Sequence, residues 1–202
     1  MVAQNKSLYI TPVEYLRRER NAETKSEYYD GVLVAMAGAS PEHNLITANV
    51  ITSLNFHLRR RGCIPFASDL RVHVESCNRY FYPDTAVVCG EPIYQNLDGM
   101  RSLRNPALIV EVLSATTEAL DRGEKWHCYQ DLDSLSTYVL IAQHLARVEV
   151  FTRIEGRDWR LSTFHGLDRT VFLPAFGSEI SMADLYADVL FPEPAPDSSQ
   201  AE

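Results

Sequence analysis

One acidic residue stands inside a run that predicts a buried strand. The segment from Ala107 to Leu113 is β-branched and apolar except for Glu111, which is typical of a central strand covered on both faces. A carboxylate in such a strand is costly unless a partner compensates its charge. Two kinds of partner are open: an internal arginine or lysine in a salt bridge, or a metal ion. Glu111 is therefore the first candidate for chemistry.

A second acid, Asp84, follows Pro83 in another strand-like run. If the two strands are neighbours, Asp84 and Glu111 face each other, and two close anions repel unless a cation lies between them. Carboxylate oxygens and water are the ligands that Mg²⁺ prefers, so we expect Mg²⁺ or Mn²⁺ at these two residues. Such an ion polarises a phosphate, makes water more acidic and offsets charge on the departing oxygen. The pair therefore favours metal-assisted hydrolysis of a phosphodiester.

A lysine completes such a site by holding the attacking water or the extra charge of the transition state. Leu113 occupies the position that faces the same side of the strand as Glu111. The nearest lysine is Lys125, on the following predicted helix, where it shares a face with Asp121. The residues alone favour an exposed Asp121–Lys125 ion pair there, worth about 0.3–0.5 kcal/mol.

The elements that position these residues alternate between helix and strand signals. Caps and apolar spacing predict helices over about 12–20, 41–61, 117–131 and from 181 onward. A hairpin is predicted around Asp30-Gly31, and a loop over 90–106. Further strands are predicted at 67–75, 79–89, 107–113, 136–142, 147–153, 159–164 and 170–173. This order indicates a mixed α/β domain with one central β-sheet flanked by helices.

Composition limits the class of protein. The chain has 202 residues, 46% hydrophobic and 23% charged, with a net charge of −8, which argues against a general nucleic-acid coat but not against an enzyme that grips phosphates locally. We expect one domain over 1–191 and a disordered, acidic, Pro- and Ser-rich tail over 192–202.

No apolar run is long enough for a membrane span, and the first ten residues resemble no secretory signal. We therefore expect a cytoplasmic protein with no membrane partner.

The four cysteines form no Cys-x-x-Cys pair. In a cytoplasmic protein they are expected to be reduced thiols that pack as small hydrophobic side chains. Their positions are Cys63, Cys77, Cys89 and Cys128.

Several motifs together resemble a known family. They are Tyr82-Pro83-Asp84 with the apolar run after it, Asn105 to Ser114, Asp121 to Tyr129, the Glu27-Tyr28-Tyr29-Asp30-Gly31 hairpin and the Ser40-Pro41-Glu42-His43 helix start. Over about residues 8–190 the chain resembles the Uma-two family of restriction endonucleases, in the PD-(D/E)XK nuclease superfamily. The resemblance implies a restriction-endonuclease-like core, a divalent metal, DNA as substrate and often a homodimer.

Carried over by residue, the resemblance implies roles for four side chains. Asp84 and Glu111 resemble the metal-binding acids, and Glu27 resembles the acid that the superfamily often adds from its first helix or hairpin. Lys125 would stand in for the strand lysine that is Leu113 here. We therefore predict a metal-dependent DNA endonuclease.

Two other functions stay open at this point. A nuclease-like scaffold could bind nucleic acid or a protein without cutting, which the acidic charge and Leu113 favour. A structural homodimer could pair its acids with arginine. Among the flanking residues, Arg71 could contact phosphate or a buried acid. His43, in the first turn of a helix, could reach the site but is interpreted as packed or solvated. Arg59-Arg60-Arg61 could contact a DNA backbone but are interpreted as the basic end of a helix.

Overall fold

The computed structural model of the chain describes residues 9–191. The predicted tail, 192–202, lies outside the described residues, and the single domain over 1–191 stays a prediction. No helix in the range 9–191 is long and apolar enough to cross a membrane.

Fourteen strands and five short or medium helices make up the described part of the chain. The helices are α1 (Pro12–Glu19), α2 (Pro41–Leu58), α3 (Glu118–Leu120), α4 (Trp126–Tyr129) and α5 (Met182–Leu185). The strands are β1 (Ser26–Tyr29), β2 (Val32–Ala35), β3 (Cys63–Ala67), β4 (Val72–Val74), β5 (Arg79–Phe81), β6 (Thr85–Cys89), β7 (Tyr94–Leu97), β8 (Met100–Leu103), β9 (Leu108–Leu113), β10 (Thr137–Ala142), β11 (Arg147–Glu155), β12 (Asp158–His165), β13 (Thr170–Leu173) and β14 (Ser178–Ser181).

The fold class is confirmed: the molecule mixes helices with large mixed β-sheets. Its strands form two six-stranded sheets, ordered β2-β1-β5-β4-β8-β7 and β12-β11-β10-β9-β6-β3, together with a small β13-β14 ribbon. One central sheet was expected from the sequence. The difference arises because β1, β2, β4 and β5 are short hairpin strands that pair with each other, whereas the long apolar strands pair around β9.

The predicted loop over 90–106 contains a hairpin, so that prediction is wrong. Strands β7 and β8 pair antiparallel around Asp98-Gly99, which both have positive φ angles (52° and 72°). An Asp-Gly pair with this conformation is a strong signal for a tight hairpin. The Asp98-Gly99 pair in the sequence therefore indicated a hairpin, but it lies in a segment with many other turn-forming residues.

Strand β9 lies at the centre of the second sheet, as its composition predicts. It pairs parallel with β10 and antiparallel with β6, and all six of its residues are buried. One face packs with α2 and α5 through side chains such as Val110 and Val112. The other face, which includes Ile109 and Leu113, packs with the aromatic residues that follow π-helical residues 121–125. Glu111 belongs to this second face by strand alternation.

Helix α2 begins where its cap predicts. Ser40 Oγ accepts a hydrogen bond from the backbone N–H of His43 at 3.1 Å, and Pro41 occupies the first helical position. The basic residues Arg59–Arg61 follow as one 3₁₀ turn that ends at Gly62 in the left-handed conformation. Their position agrees with their interpretation as the basic end of a helix. Arg61 also donates to the backbone oxygen of Phe176.

The helix predicted over 117–131 is interrupted by a π-helical turn, Asp121–Lys125, between α3 and α4. The wider turn lets both Asp121 and Lys125 face inward, and only 1% and 5% of their surfaces are exposed. The exposed ion pair favoured by the residues alone is therefore wrong. Sequence spacing placed the two side chains on one face, but only the packing of that face against β9 reveals their burial.

The four cysteines are bonded in two disulfides, which corrects the expectation of free thiols. Cys63 is bonded to Cys89, its register partner across β3 and β6. Cys77, in the β4–β5 turn, is bonded to Cys128 in α4. Both pairings depend on which strands and helices become neighbours, so the cysteine spacing alone could not identify them.

Candidate active site

Asp84 and Glu111 meet at the end of the β6–β9 pair. Thr85 is the register partner of Val110, so the next opposed positions along the ladder are 84 and 111. The backbone N–H of Asp84 donates to Glu111 Oε2 at 3.3 Å, and Asp84 Oδ2 accepts from the backbone N–H of Val112 at 2.7 Å. Two acids that are 27 positions apart in sequence are thus adjacent in the fold.

Lys125 lies at the centre of a buried carboxylate cluster. Its Nζ is 3.0 Å from Glu27 Oε1, 3.3 Å from Glu111 Oε1 and 3.1 Å from Asp121 Oδ1. All four side chains are at most 6% exposed. We refer to Glu27, Glu111, Asp121 and Lys125 as the inner cluster. It joins the first sheet, through Glu27 on β1, to the second sheet, through Glu111 on β9.

Hydrogen bonds fix the carboxylate of Glu27. Its Oε2 accepts from the hydroxyl of Tyr29 at 2.8 Å, and its Oε1 accepts from the backbone N–H of Tyr82 at 3.1 Å. Tyr82 directly precedes Pro83-Asp84, so the same short segment contacts Glu27 and supplies Asp84. Glu27 is held in place to contact Lys125.

Two tyrosine hydroxyls orient the rest of the inner cluster. Tyr129 donates to Glu111 Oε1 at 3.2 Å, and Tyr138 donates to the backbone oxygen of Asp121 at 2.9 Å. Glu111 Oε1 therefore contacts both Lys125 and Tyr129, while Oε2 is directed at the Asp84 amide. The two oxygens of Glu111 face two different sets of neighbours.

His43 reaches Asp84 from the first turn of α2. Its Nε2 lies 3.2 Å from Asp84 Oδ2, and the side chains of these two residues are 15% and 16% exposed. The inner cluster is more deeply buried, so solvent reaches this region at His43 and Asp84. Interpreting His43 as merely packed or solvated missed this contact. The helix start at Ser40-Pro41 did indicate its place in the first turn, but not which strand that turn would face.

Arg71 is buried and contacts internal groups. Its guanidinium donates to the hydroxyl of Tyr82 at 2.7 Å, and that hydroxyl donates to Glu19 at 2.9 Å. The structure confirms neither interpretation of Arg71 from the sequence: its partners among the described residues are the hydroxyls of Tyr82 and Ser102, not a buried acid. The arginine is linked to an acid through a tyrosine.

The pKa values of the inner cluster are shifted by burial first and by the surrounding charges second. Burial raises the pKa of Glu111 well above its usual value; Lys125 opposes this, and Asp121, Asp84 and Glu27 add to it. Burial also raises the pKa of Asp121, against the attraction of Lys125. Burial lowers the pKa of Lys125, but Glu111, Glu27 and Asp121 outweigh it and hold that pKa well above its usual value. All three shifts favour the retention of protons, as expected where carboxylates outnumber cations.

The pKa of His43 is raised as well. Burial lowers it, but the hydrogen bond to Asp84 and the attraction of that carboxylate outweigh burial. The pKa values of Asp121, Lys125 and His43 are thus all raised, so each of these groups keeps its proton to a higher pH. Four carboxyl groups, that of Asp84 and the three of the inner cluster, share this region with Lys125 and His43.

The residues present fit one divalent ion with few protein ligands. Within the described range there is no group of three or more His, Cys, Asp or Glu side chains arranged to hold a metal. Glu27 and Asp121 contact Lys125. Asp84 and Glu111 remain as a pair of adjacent carboxylates, of which Asp84 is partly exposed and Glu111 is buried. Mg²⁺ is commonly bound by one or two carboxylates and completes its shell with water and substrate phosphate. This pair is compatible with such a site.

Comparisons with known proteins agree with the fold. A family model named Uma2 and described as "Putative restriction endonuclease" matches residues 12–184. Two uncharacterized proteins of Synechocystis are similar: sll1609 is 37% identical over 78% of this chain and 88% of that protein, and slr1290 is 30% identical over 90% and 94%. A crystal structure from Anabaena variabilis, described as a "putative nuclease belonging to DUF820", covers 88% of this chain and 98% of its own, with a TM-score of 0.68 at 19% identity. The chain therefore belongs to the Uma2 family, and the family predicted from its motifs is confirmed.

Proposed function

We propose that this protein is a metal-dependent DNA endonuclease that hydrolyses phosphodiester bonds. The observation that carries the proposal is the meeting of Asp84 and Glu111 at the solvent-facing edge of a cluster whose carboxylates outnumber its cations. Membership of a restriction-endonuclease-like family supports a nuclease-like function. The choice of DNA and of Mg²⁺ or Mn²⁺ as cofactor is part of the proposal.

Asp84 and Glu111 would hold the ion. Asp84 Oδ2 is occupied by His43 and by the amide of Val112, which leaves Oδ1 for a cation, and Glu111 presents Oε2 on the Asp84 side. When bound, a divalent ion supplies Lewis-acid chemistry: it polarises a phosphate oxygen and increases the acidity of water. The negative charge of the two carboxylates supplies the affinity, and the backbone contacts keep them in position.

Lys125 would assist by donating a hydrogen bond to the attacking water or to the extra charge on phosphate, which requires its ammonium group to give up one of its three carboxylate contacts. Its side chain reaches Glu111 from the helix after β9, in place of a lysine two residues after Glu111 on the strand. Glu27 and Asp121 position the ammonium by accepting from it. In this proposal Glu27 acts on Lys125 and is not a ligand of the ion.

One observation favours a second function, a nuclease-like scaffold that binds nucleic acid or a protein without cutting. Lys125 contacts three carboxylates at once, so its charge is already compensated without any substrate. A scaffold of this kind would bind its partner without metal. The two functions therefore predict opposite responses to metal removal.

The experiment is cleavage of supercoiled plasmid by purified protein with Mg²⁺, Mn²⁺ or chelator. The endonuclease proposal predicts nicked or linear product with metal, none with chelator, and none from Asp84→Ala or Glu111→Ala variants that keep the wild-type circular dichroism spectrum. Intact plasmid across both metals and several DNA forms would refute the enzyme. DNA binding that persists with chelator would then support the scaffold.

The sequence also predicts a homodimer and a cytoplasmic location. We include the homodimer in the proposal because two copies of one site can cut both strands of a duplex. The location stays a prediction.

A further inference from the structure

Strand β2 leaves one side of its backbone without a partner within residues 9–191. It lies at the end of the first sheet and pairs only with β1. The N–H of Met36 donates inward to the oxygen of Lys25 at 2.9 Å. Because antiparallel strands alternate the direction of their N–H groups, those of Leu33 and Ala35 point to the open side. The open edge therefore offers a regular set of backbone donors and acceptors.

The segment that includes this edge has no charge. Residues 32–39 read Val-Leu-Val-Ala-Met-Ala-Gly-Ala, and most of them are exposed. Val32 is 52% exposed and Val34 37%. Exposed edges of this kind are normally protected by charges, prolines, bulges or a covering segment, because they pair readily with another strand.

Two of the other three edges of the two large sheets carry such protection, and the third is polar. Edge strand β3 contains Pro65, and β12 contains Asp158, Arg160 and His165. Edge strand β7 contains Gln95 and Asn96, and Arg20 covers the turn after it by donating to the backbone oxygen of Asp98. The open side of β2 is thus unlike the others, which points to a partner for it.

We propose that β2 pairs antiparallel with β2 of a second copy of this chain and joins the two first sheets into one. A strand without charges can face itself across a two-fold axis without like-charge repulsion, although each chain carries a net charge of −8. A charged partner protein would find no complementary charge on this edge. The second copy is therefore the occupant that the edge fits.

The pairing has a consequence for the site, and this step rests on the proposed function. Glu27 is the register partner of Val34, so the inner cluster lies one strand away from the new interface. Three strand spacings of about 4.8 Å would separate the β1 strands of the two copies by roughly 14 Å. Antiparallel pairing about an axis perpendicular to the sheet keeps both sites on the same face. Both copies could then act on opposite strands of one duplex.

The test is the molar mass of the wild-type chain and of two substitutions at one position, by sedimentation equilibrium. Ala35→Pro removes the outward N–H and leaves the bonds to β1 intact, whereas the control Ala35→Val keeps that N–H. We expect twice the 22.9 kDa chain mass for the wild type and Ala35→Val, and the single mass for Ala35→Pro. A monomeric wild type, or a dimeric Ala35→Pro that keeps the wild-type circular dichroism spectrum, would overturn the proposal.

A deletion of residues 1–8 tests whether the chain covers this edge itself. These residues precede Ile10, whose N–H donates to the oxygen of Gly31 beside the start of β2. If the wild type is monomeric and the deletion variant is dimeric, residues 1–8 and not a second copy cover the edge of β2. That result would overturn the proposal. A plasmid cleavage assay distinguishes failure of this proposal from failure of the proposed function. A dimeric protein that does not cleave plasmid contradicts the endonuclease, whereas a monomeric protein that cleaves plasmid contradicts the interface.

Discussion

Asp121 and Arg122 are neighbours in sequence but belong to two different ion-pair networks. Asp121 faces inward to Lys125 and the inner cluster. Arg122 faces outward and contacts Glu118 at 2.7 Å and Glu149 at 2.5 Å. Arg147 completes this outer network by contacting both of those glutamates. One short helical segment therefore contributes to two networks of opposite character.

The two networks differ in charge balance. The outer network pairs two arginines with two glutamates, and the hydrogen bond from Arg122 lowers the pKa of Glu149. The inner cluster places three carboxylates around one lysine, and burial raises the pKa of Glu111. A partly exposed network with equal numbers of cations and carboxylates stabilises the folded state in its charged form. A buried network with more carboxylates than cations destabilises that form. The imbalance therefore suits the binding of a further cation better than it suits stability.

The largest expected difference between the networks is in catalysis. Glu111→Gln removes a charged ligand from the proposed ion, and we expect the cleavage rate to fall at least about 100-fold. The matched change Glu149→Gln in the outer network should leave the rate within about twofold of wild type. Initial rates on supercoiled plasmid with Mn²⁺ measure both. Equal losses in the two variants would mean that the networks do not differ in function.

The next difference is in stability. Lys125→Met leaves three buried carboxylates without their cation, which is expected to lower the free energy of unfolding by about 3–5 kcal/mol. Arg122→Met removes a partly exposed partner, where we expect a loss of about 1 kcal/mol or less. Urea unfolding monitored by circular dichroism measures both values. A Lys125→Met variant as stable as Arg122→Met would contradict the burial and imbalance of the inner cluster.

The pH dependence sharpens the same contrast. Because the folded state holds the Glu111 proton to higher pH than the unfolded state does, the free energy of unfolding falls as pH rises above the usual value of about 4.5. We therefore expect wild type to lose stability relative to Glu111→Gln from that pH upward. Burial lowers the pKa of His73 to about 4, so this residue makes the free energy of unfolding rise with pH. His73 is present in both proteins, and its contribution cancels when the value for one is subtracted from the value for the other. A difference that grows in favour of wild type would reverse the sign of this account.

The smallest effect is expected at the rim of the outer network. Glu118 is 43% exposed, and Glu118→Gln should change the free energy of unfolding by no more than about 0.5 kcal/mol, less at high salt. Thermal unfolding at low and high salt measures this. A loss above 2 kcal/mol that salt does not reduce would show that the outer network is not a surface network.

Part of this structure could be predicted from the sequence. The apolar run around Glu111 predicted a central buried strand, and the caps at Ser40 and Thr11 predicted two helix starts, because these signals are local. The π-helical turn, the burial of Lys125 and the disulfides depend on which elements become neighbours, and the residues alone indicated none of them. The roles given to Asp84, Glu111, Lys125 and Glu27 are still predictions, although the fold brings all four into one region.

The most direct test of the account is a calorimetric titration of metal-free protein with Mn²⁺. We predict one ion per chain, with the affinity reduced at least about tenfold in Asp84→Ala and in Glu111→Gln but unchanged in Glu149→Gln. At a free Mn²⁺ concentration of 100 times Kd, the folded state should gain about 2.7 kcal/mol. A wild-type chain that binds no Mn²⁺, or that binds it equally well without Asp84 and Glu111, would contradict the central claim.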